Sequence, residues 1–335
     1  MKKNILTNFI KIIAAILVIF SHSFALSQNT SDYLGKYTND IVNFGGFAVA
    51  ILFVISGYYI MKSIDKKGVD KFVKKRVLRL IPSLFVVVIL CEIILGLFFS
   101  NISVITYITD INTYKYLLNI IFIPVHNLPG VFENNIYGST VNGALWTMMV
   151  QFLCYMYVYF AYLLKIANKD NIKKYLIISF VLGLIGYIVL KYLNISILIA
   201  MIRPFLCFVV GGYLYYSELL KSSKALLIVI IAAIVCLLIN NYISINIFLI
   251  ICLTYIIIYL CKNYYVENNN KYLNSILSSS YELYLVGFPI QQALVSINGG
   301  LMNIYLNFLI SLIIAIPVSI IIRLLSEKMI KIFDF

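Results

Sequence analysis

Runs of about twenty apolar residues, each long enough to cross a hydrocarbon core about 30 Å thick, recur along the whole chain. They predict membrane-spanning helices near 5–26, 42–62, 80–100, 143–165, 174–192, 196–217, 224–241, 245–262, 279–297 and 303–324. The stretch 103–124 differs. Asp110, Asn112, Lys115 and Asn119 interrupt its apolar residues, which predicts an interfacial or re-entrant helix rather than a span. The first run starts at Ile5 behind Lys2 and Lys3, lacks a small-x-small cleavage site and is followed by many similar segments, so a retained first helix is expected. No short-period repeat of the solenoid kind occurs. The pattern describes an all-α polytopic membrane protein of about ten helices, a single membrane-embedded domain over residues 1–335.

The basic residues test this count independently. Lys2 and Lys3 precede the first helix, and Lys66, Lys67, Lys71, Lys74, Lys75, Arg76 and Arg79 fill the loop between the second and third. Lys165, Lys169, Lys173 and Lys174 follow the fourth helix, Lys221 and Lys224 the sixth, Lys262 and Lys271 the eighth, and Arg323, Lys328 and Lys331 close the chain. Alternate loops hold only Lys36, Lys115 and Lys191. With ten helices every basic cluster falls on one side, and both termini are expected in the cytoplasm. An eleventh span at 103–124 would break that alternation.

Composition agrees. Of 335 residues, 62% are hydrophobic and 12% charged, about half the charged share of a soluble domain. The net charge of +13 lies in short clusters between apolar spans, so it reads as membrane topology and not as nucleic-acid binding. Cys91, Cys154, Cys207, Cys236, Cys252 and Cys261 sit within or at the ends of apolar runs with no CxxC pair, as small packing residues do. His22 and His126 and the scattered carboxylates show no metal-ligand spacing, so no metal is expected.

Ionisable groups inside apolar spans are costly and commonly functional. Lys11 and His22 are eleven residues apart on the first helix, three turns plus roughly 20°, so they share a face about 16 Å apart along the axis. Lys11 falls in the cytoplasmic third and His22 in the outer third. Lys11 snorkelling to the interface and His22 bonding a backbone carbonyl is the purely structural alternative. Glu92 lies mid-helix in VVVILCEIILGLFF and Arg203 precedes Pro204 in the sixth helix; they suit either a structural ion pair or the wall of a polar cavity. Lys62 suits an interfacial anchor. Arg76 and Arg79, one turn apart before Pro82, suit phosphate oxygens or anionic lipid. The loop over about 101–142 holds His126, Pro129, Gly130 and Glu133, and the only tryptophan, Trp146, lies where an aromatic belt would put it.

Five segments in order resemble the acyltransferase-3 family of membrane acyltransferases, which modify sugars and other envelope acceptors. Lys11 and His22 resemble its basic residue, ten residues, histidine motif. Phe53, Ser56, Gly57 and Tyr58 in GGFAVAILFVISGYYI are similar to its FF-x-(I/L)-SG-(F/Y) pattern. Arg76, Arg79 and Pro82 match its R-x-x-R element and proline, residues 141–151 (VNGALWTMMVQ) its VNGSLWTL-x-x-E stretch, and residues 280–290 (SYELYLVGFPI) its SY-x-x-YL element. Lys11, Gln151 and Gly287 stand where the family usually has arginine, glutamate and often histidine. Lys11 keeps the charge without the bidentate fork, and Gln151 cannot ionise.

The resemblance implies transfer of an acyl group, most often acetyl, from acyl-CoA as co-substrate to a hydroxyl of a surface or lipid-linked saccharide, with no bound cofactor. Acyl-CoA, the saccharide acceptor and membrane lipid are then the partners, and the bacterial inner membrane the location. Arg76, Arg79 and Lys11 become the cradle for the CoA phosphates. His22 becomes the general base, a role worth roughly 10²–10⁴-fold; a transient acyl-histidine is the other possibility. Ser56, Glu92, Asn142, Trp146, Gln151, Arg203 and Tyr281 are the candidate acceptor-side or structural residues. Tyr137 and Trp146 are aromatic enough to stack on sugar rings. A transporter or flippase lined by Lys11, Glu92 and Arg203, and a catalytically degenerate family member motivated by Lys11 and Gln151, are the alternatives.

Overall fold

In a computed structural model the chain folds into a bundle of helices; residues 5–267 and 269–333 are described. Lys2 and Lys3 lie outside the described residues, as do the side chains of Lys67, Lys71, Lys74 and Lys75. Each of the ten apolar runs carries a helix. These are α1 (Ile5–Gln28), α2 (Phe44–Lys67), α3 (Val69–Leu90), α4 (Trp146–Leu163), α5 (Ile172–Tyr192), α6 (Ser196–Tyr215), α7 (Ser223–Ile239), α8 (Tyr242–Ile247), α9 (Ser280–Ile297) and α10 (Ile304–Phe333). Helix α3 runs on through a π-helical turn, Cys91–Leu95, and Gly96–Phe99; α8 runs on through a second such turn, Phe248–Leu253, and Thr254–Asn263.

Seven of the ten are long and apolar enough to cross a membrane by length and composition; α4, α7 and α9, at 18, 17 and 18 residues, are shorter or less apolar. Residues 103–124 contain no helix longer than six residues. Val104–Thr109, Ile111–Lys115 and the 3₁₀ segment Tyr116–Ile121 break where Asp110 caps one short helix onto the next. They expose Ile105, Ile111 and Ile121, as an interfacial segment would. Tyr107 pins them to α3, its hydroxyl donating to the Glu92 carbonyl at 2.7 Å.

In lipid no hydrophobic force drives helix against helix, so close packing must do it. The tightest seam joins α2 to α6. A methyl on Gly57 would collide with the Phe208 carbonyl, and one on Gly211 with the Val54 carbonyl, so these glycines let the two backbones touch. Helix α1 packs on α2, α9 and α10. Buried Asp32 joins the ends of α1 and α2 by accepting from Ser21 Oγ (2.6 Å), Gly35 N (2.9 Å) and Phe44 N (2.8 Å). Helices α2 and α8, the latter with its continuation to Asn263, bury 67% of their apolar stretch, whereas α5 and α10 turn most of theirs outward, with 22% buried. All six cysteines are buried and no disulfide forms.

Candidate functional site

The basic ends of the helices converge. A cavity of about 770 Å³ opens there, walled by residues from α1, α2, α3, α8, α9 and α10. Six cations line it: Lys11, Lys62, Arg76, Arg79, Lys262 and Arg323. Among the described residues Glu282 and Glu327 are the carboxylates that line it, and Arg323 Nη1 is paired with Glu327 at 2.6 Å. The excess positive charge in a low-dielectric wall attracts an anion bearing several charges. The Lys11 and Lys62 ammoniums lie 5.8 and 5.4 Å from the centre of the same ring, Tyr59, whose hydroxyl is 2.8 Å from Thr7 Oγ1.

This vestibule narrows into an inner chamber of about 110 Å³ that shares Lys11, Tyr59, Arg76, Arg79, Ser280 and Tyr281 with it. The chamber wall then turns apolar and neutral, with Phe53, Ser56, Met148, Gln151 and Tyr155. Gln151 Nε2 donates to Ser56 Oγ at 2.9 Å, joining α4 to α2, and Tyr281 donates to the Leu80 carbonyl at 3.1 Å, joining α9 to α3. Thr147 and Tyr284 form its far wall, their hydroxyls 2.7 Å apart.

His22 lies beyond that wall. Its ring meets Phe288 edge-on, with centroids 5.0 Å apart, and Phe288 in turn meets Tyr137 at 5.9 Å. His22 Nδ1 is buried and has no hydrogen-bond partner among the described residues. The neighbouring carbonyl of Ile19 is taken by Gln291 Nε2 at 2.9 Å, and Ser23 Oγ by the same amide at 2.7 Å. The backbone-bonded histidine of the structural alternative is therefore absent at Nδ1, which lies buried without a partner among the described residues.

Of the residues singled out in the sequence, Lys11, Ser56, Arg76, Arg79, Gln151 and Tyr281 share the inner chamber, drawn from five separate helices. His22 sits across the Thr147–Tyr284 wall from them. Asn142 is an architectural residue: it donates to the Leu285 carbonyl (2.9 Å) and accepts from Ala144 N (3.1 Å), fixing the entry to α4. Trp146 opens α4, half-buried and outside both cavities. Glu92 and Arg203 form no pair. Arg203 donates to the Ile41 carbonyl (3.0 Å) and to Tyr187 (3.3 Å), while buried Glu92 occupies the π-helical turn of α3 with Oε2 unpartnered.

Sequence reasoning passed over Glu282, Ser83, Thr147, Tyr284 and Phe288. Glu282 accepts from Ser83 Oγ at 2.7 Å, with Oε2 left unpartnered at the vestibule wall. A carboxylate inside YELYLVGF was the available signal for it. Among the described residues no cluster of metal-binding side chains occurs.

Comparison with known proteins points the same way. An "O-acetyl transferase" of Shigella phage Sf6 is 32% identical over 180 residues, 52% of this chain and 51% of that protein, so the match spans about half the length of this curated relative. No solved structure matches the chain. Residues 7–324 match a family described as "Acyltransferase domain", and this chain belongs to that family, acyltransferase-3.

Proposed function

We propose that this protein moves an acyl group, acetyl in the simplest case, from acyl-CoA to a hydroxyl of a lipid-linked or surface saccharide. One observation carries the reading: a six-cation vestibule continues into a chamber whose inner wall is uncharged, and a histidine with an unpartnered ring nitrogen lies behind that wall. CoA has that same polarity, a cluster of phosphates at one end and a slender uncharged arm ending in the thioester. Its phosphates suit Arg76, Arg79 and Lys11. By the positive-inside rule the vestibule opens to the cytoplasm, where acyl-CoA is made, and His22 lies toward the outer face of the inner membrane. Tyr137, in the outer loop beside Phe288, is the aromatic surface for a sugar ring.

In the reaction His22 accepts the proton of the acceptor hydroxyl as its oxygen attacks the thioester carbonyl. The carbonyl carbon–sulfur bond breaks, and the departing thiolate of CoA takes the proton back from the imidazolium. Gln151, bonded to Ser56, is neutral and takes no part in proton transfer; it holds α4 and α2 at the chamber's width.

The test is appearance of free CoA thiol when purified protein, in nanodiscs of its expression host's lipids, meets acetyl-CoA. Cleavage by the wild-type protein that is lost in both His22→Ala and Arg76→Ala supports the reading. Acetyl-CoA binding without turnover would identify a degenerate family member, and no binding at all a transporter.

A further inference from the structure

The reacting groups are on opposite sides of a wall. Lys11 lines the inner chamber and His22 does not, and along α1 they stand about 16 Å apart. The wall between them has two layers. The first is the Thr147–Tyr284 hydroxyl pair, with Tyr284 also 3.4 Å from the Ala144 carbonyl. The second lies one helical turn further: Phe288, four residues after Tyr284 on the same face of α9, packs on Gly143, four residues before Thr147. A methyl on Gly143 would stand 2.7 Å from Phe288 Cε2, so the ring fills the niche that the missing side chain leaves. Thr147, Tyr284 and Phe288 are 2%, 4% and 3% exposed, and the inner chamber reaches Thr147 and Tyr284 but is lined by neither Phe288 nor His22.

The position of Phe288 is fixed from behind. Gly287 lies against α1 so closely that a Cβ there would stand 2.6 Å from Ile19 Cγ1. A larger residue there would require the Ile19 side chain to move. The contact presses α9 onto α1 and sets the Phe288 ring against the His22 ring. The Phe288 ring carries no polar atom and meets the His22 and Tyr137 rings and the Gly143 niche, so no hydrogen bond has to break for it to be displaced.

We infer that Thr147, Tyr284 and Phe288 form a partition between the donor chamber and His22, and that Phe288, seated in the Gly143 niche, sets the length of acyl chain that can reach the histidine. This rests on the acyl-CoA reading above. A thioester brought to the Thr147–Tyr284 layer must displace Phe288 to meet His22, and the niche beyond offers space only for what the ring vacates. Acetyl, with a single methyl behind its carbonyl, is the group such an opening suits. One added methylene against a fitted apolar wall discriminates by about 10–200-fold.

The experiment compares thiol release from acetyl-, propionyl- and butyryl-CoA by the wild-type protein, Phe288→Ala and Phe288→Leu in the same nanodiscs. The partition predicts a wild-type preference for acetyl over propionyl of about tenfold or more. It predicts a ratio falling toward one in Phe288→Ala and to an intermediate value in Phe288→Leu, which also serves if the alanine variant does not fold. The ratio is insensitive to partial loss of folded protein. Acetyl-CoA cleavage with an unchanged ratio in a folded Phe288 variant overturns the partition alone. Loss of all cleavage in both variants while acetyl-CoA still binds also overturns it, because Phe288 would then belong to the machinery and not to a filter. No cleavage of any thioester by the wild-type protein overturns the donor reading and the partition with it.

Discussion

Two groups of intramembrane cations meet opposite fates in this fold. Arg203 on α6 is enclosed: it donates to the Ile41 carbonyl and to Tyr187, whose hydroxyl also accepts from Tyr242 at 2.7 Å and donates to Asn246 at 2.9 Å. Tyr187 thereby uses one donor and two acceptor positions, its full capacity. Arg203 faces neither the vestibule nor the inner chamber. Lys11, Arg76 and Arg79 instead line the vestibule and the inner chamber, and Glu282 and Glu327 also line the vestibule. An arginine bonded to carbonyl and phenol oxygens away from any cavity holds helices together; cations that line a cavity can meet an anion that enters it.

Substitutions sharpen or break that contrast. The largest expected effect lies beyond both groups, at His22. His22→Ala should lower thioester cleavage by roughly 10²–10⁴-fold while leaving the thermal unfolding temperature in detergent near that of the wild type. Arg76→Ala should weaken acetyl-CoA binding by roughly 10- to 150-fold, the worth of one or two charge-assisted hydrogen bonds, read by isothermal titration. Arg203→Met should show the reverse pattern. Acetyl-CoA affinity should stay within about twofold, while the stranded Ile41 carbonyl lowers stability by about 1–3 kcal/mol, read by thermal unfolding. A large fall in affinity for Arg203→Met would erase the distinction between the two groups. The smallest effect is a gain: Lys11→Arg, which supplies a bidentate fork, should tighten acetyl-CoA binding by about 1 kcal/mol or less.

The sequence made one of these groups legible and left the other undecided for the same physical reason. Hydropathy and the alternation of basic loops fix the height of a residue in a bundle, and height was enough to bring Lys11, Arg76 and Arg79 to one end. Height does not fix azimuth. Glu92 and Arg203 occupy apolar helices at depths that permit pairing, yet α3 turns Glu92 toward the segment at Tyr107 through a π-helical turn, and α6 turns Arg203 toward α5. The Thr147–Tyr284 pair spans 137 positions and joins two ordinary-looking residues, so no local pattern signals it. Asn142 and Gly287 lay in recognisable motifs, but their work, joining α4 to α9 and seating α9 on α1, is a property of contacts between helices. The broken helices of 103–124 were legible because Asp110 interrupts the apolar run and caps the next turn.

The central claim is that the donor binds on the basic side of the wall and reacts on the other. Equilibrium binding of acetyl-CoA to His22→Ala and Arg76→Ala, measured by titration of the purified proteins, tests this most directly. The geometry predicts wild-type affinity in His22→Ala, because the histidine lies across the Thr147–Tyr284 layer, and at least about tenfold weaker binding in Arg76→Ala. Loss of binding in His22→Ala, or wild-type binding in Arg76→Ala, would contradict it.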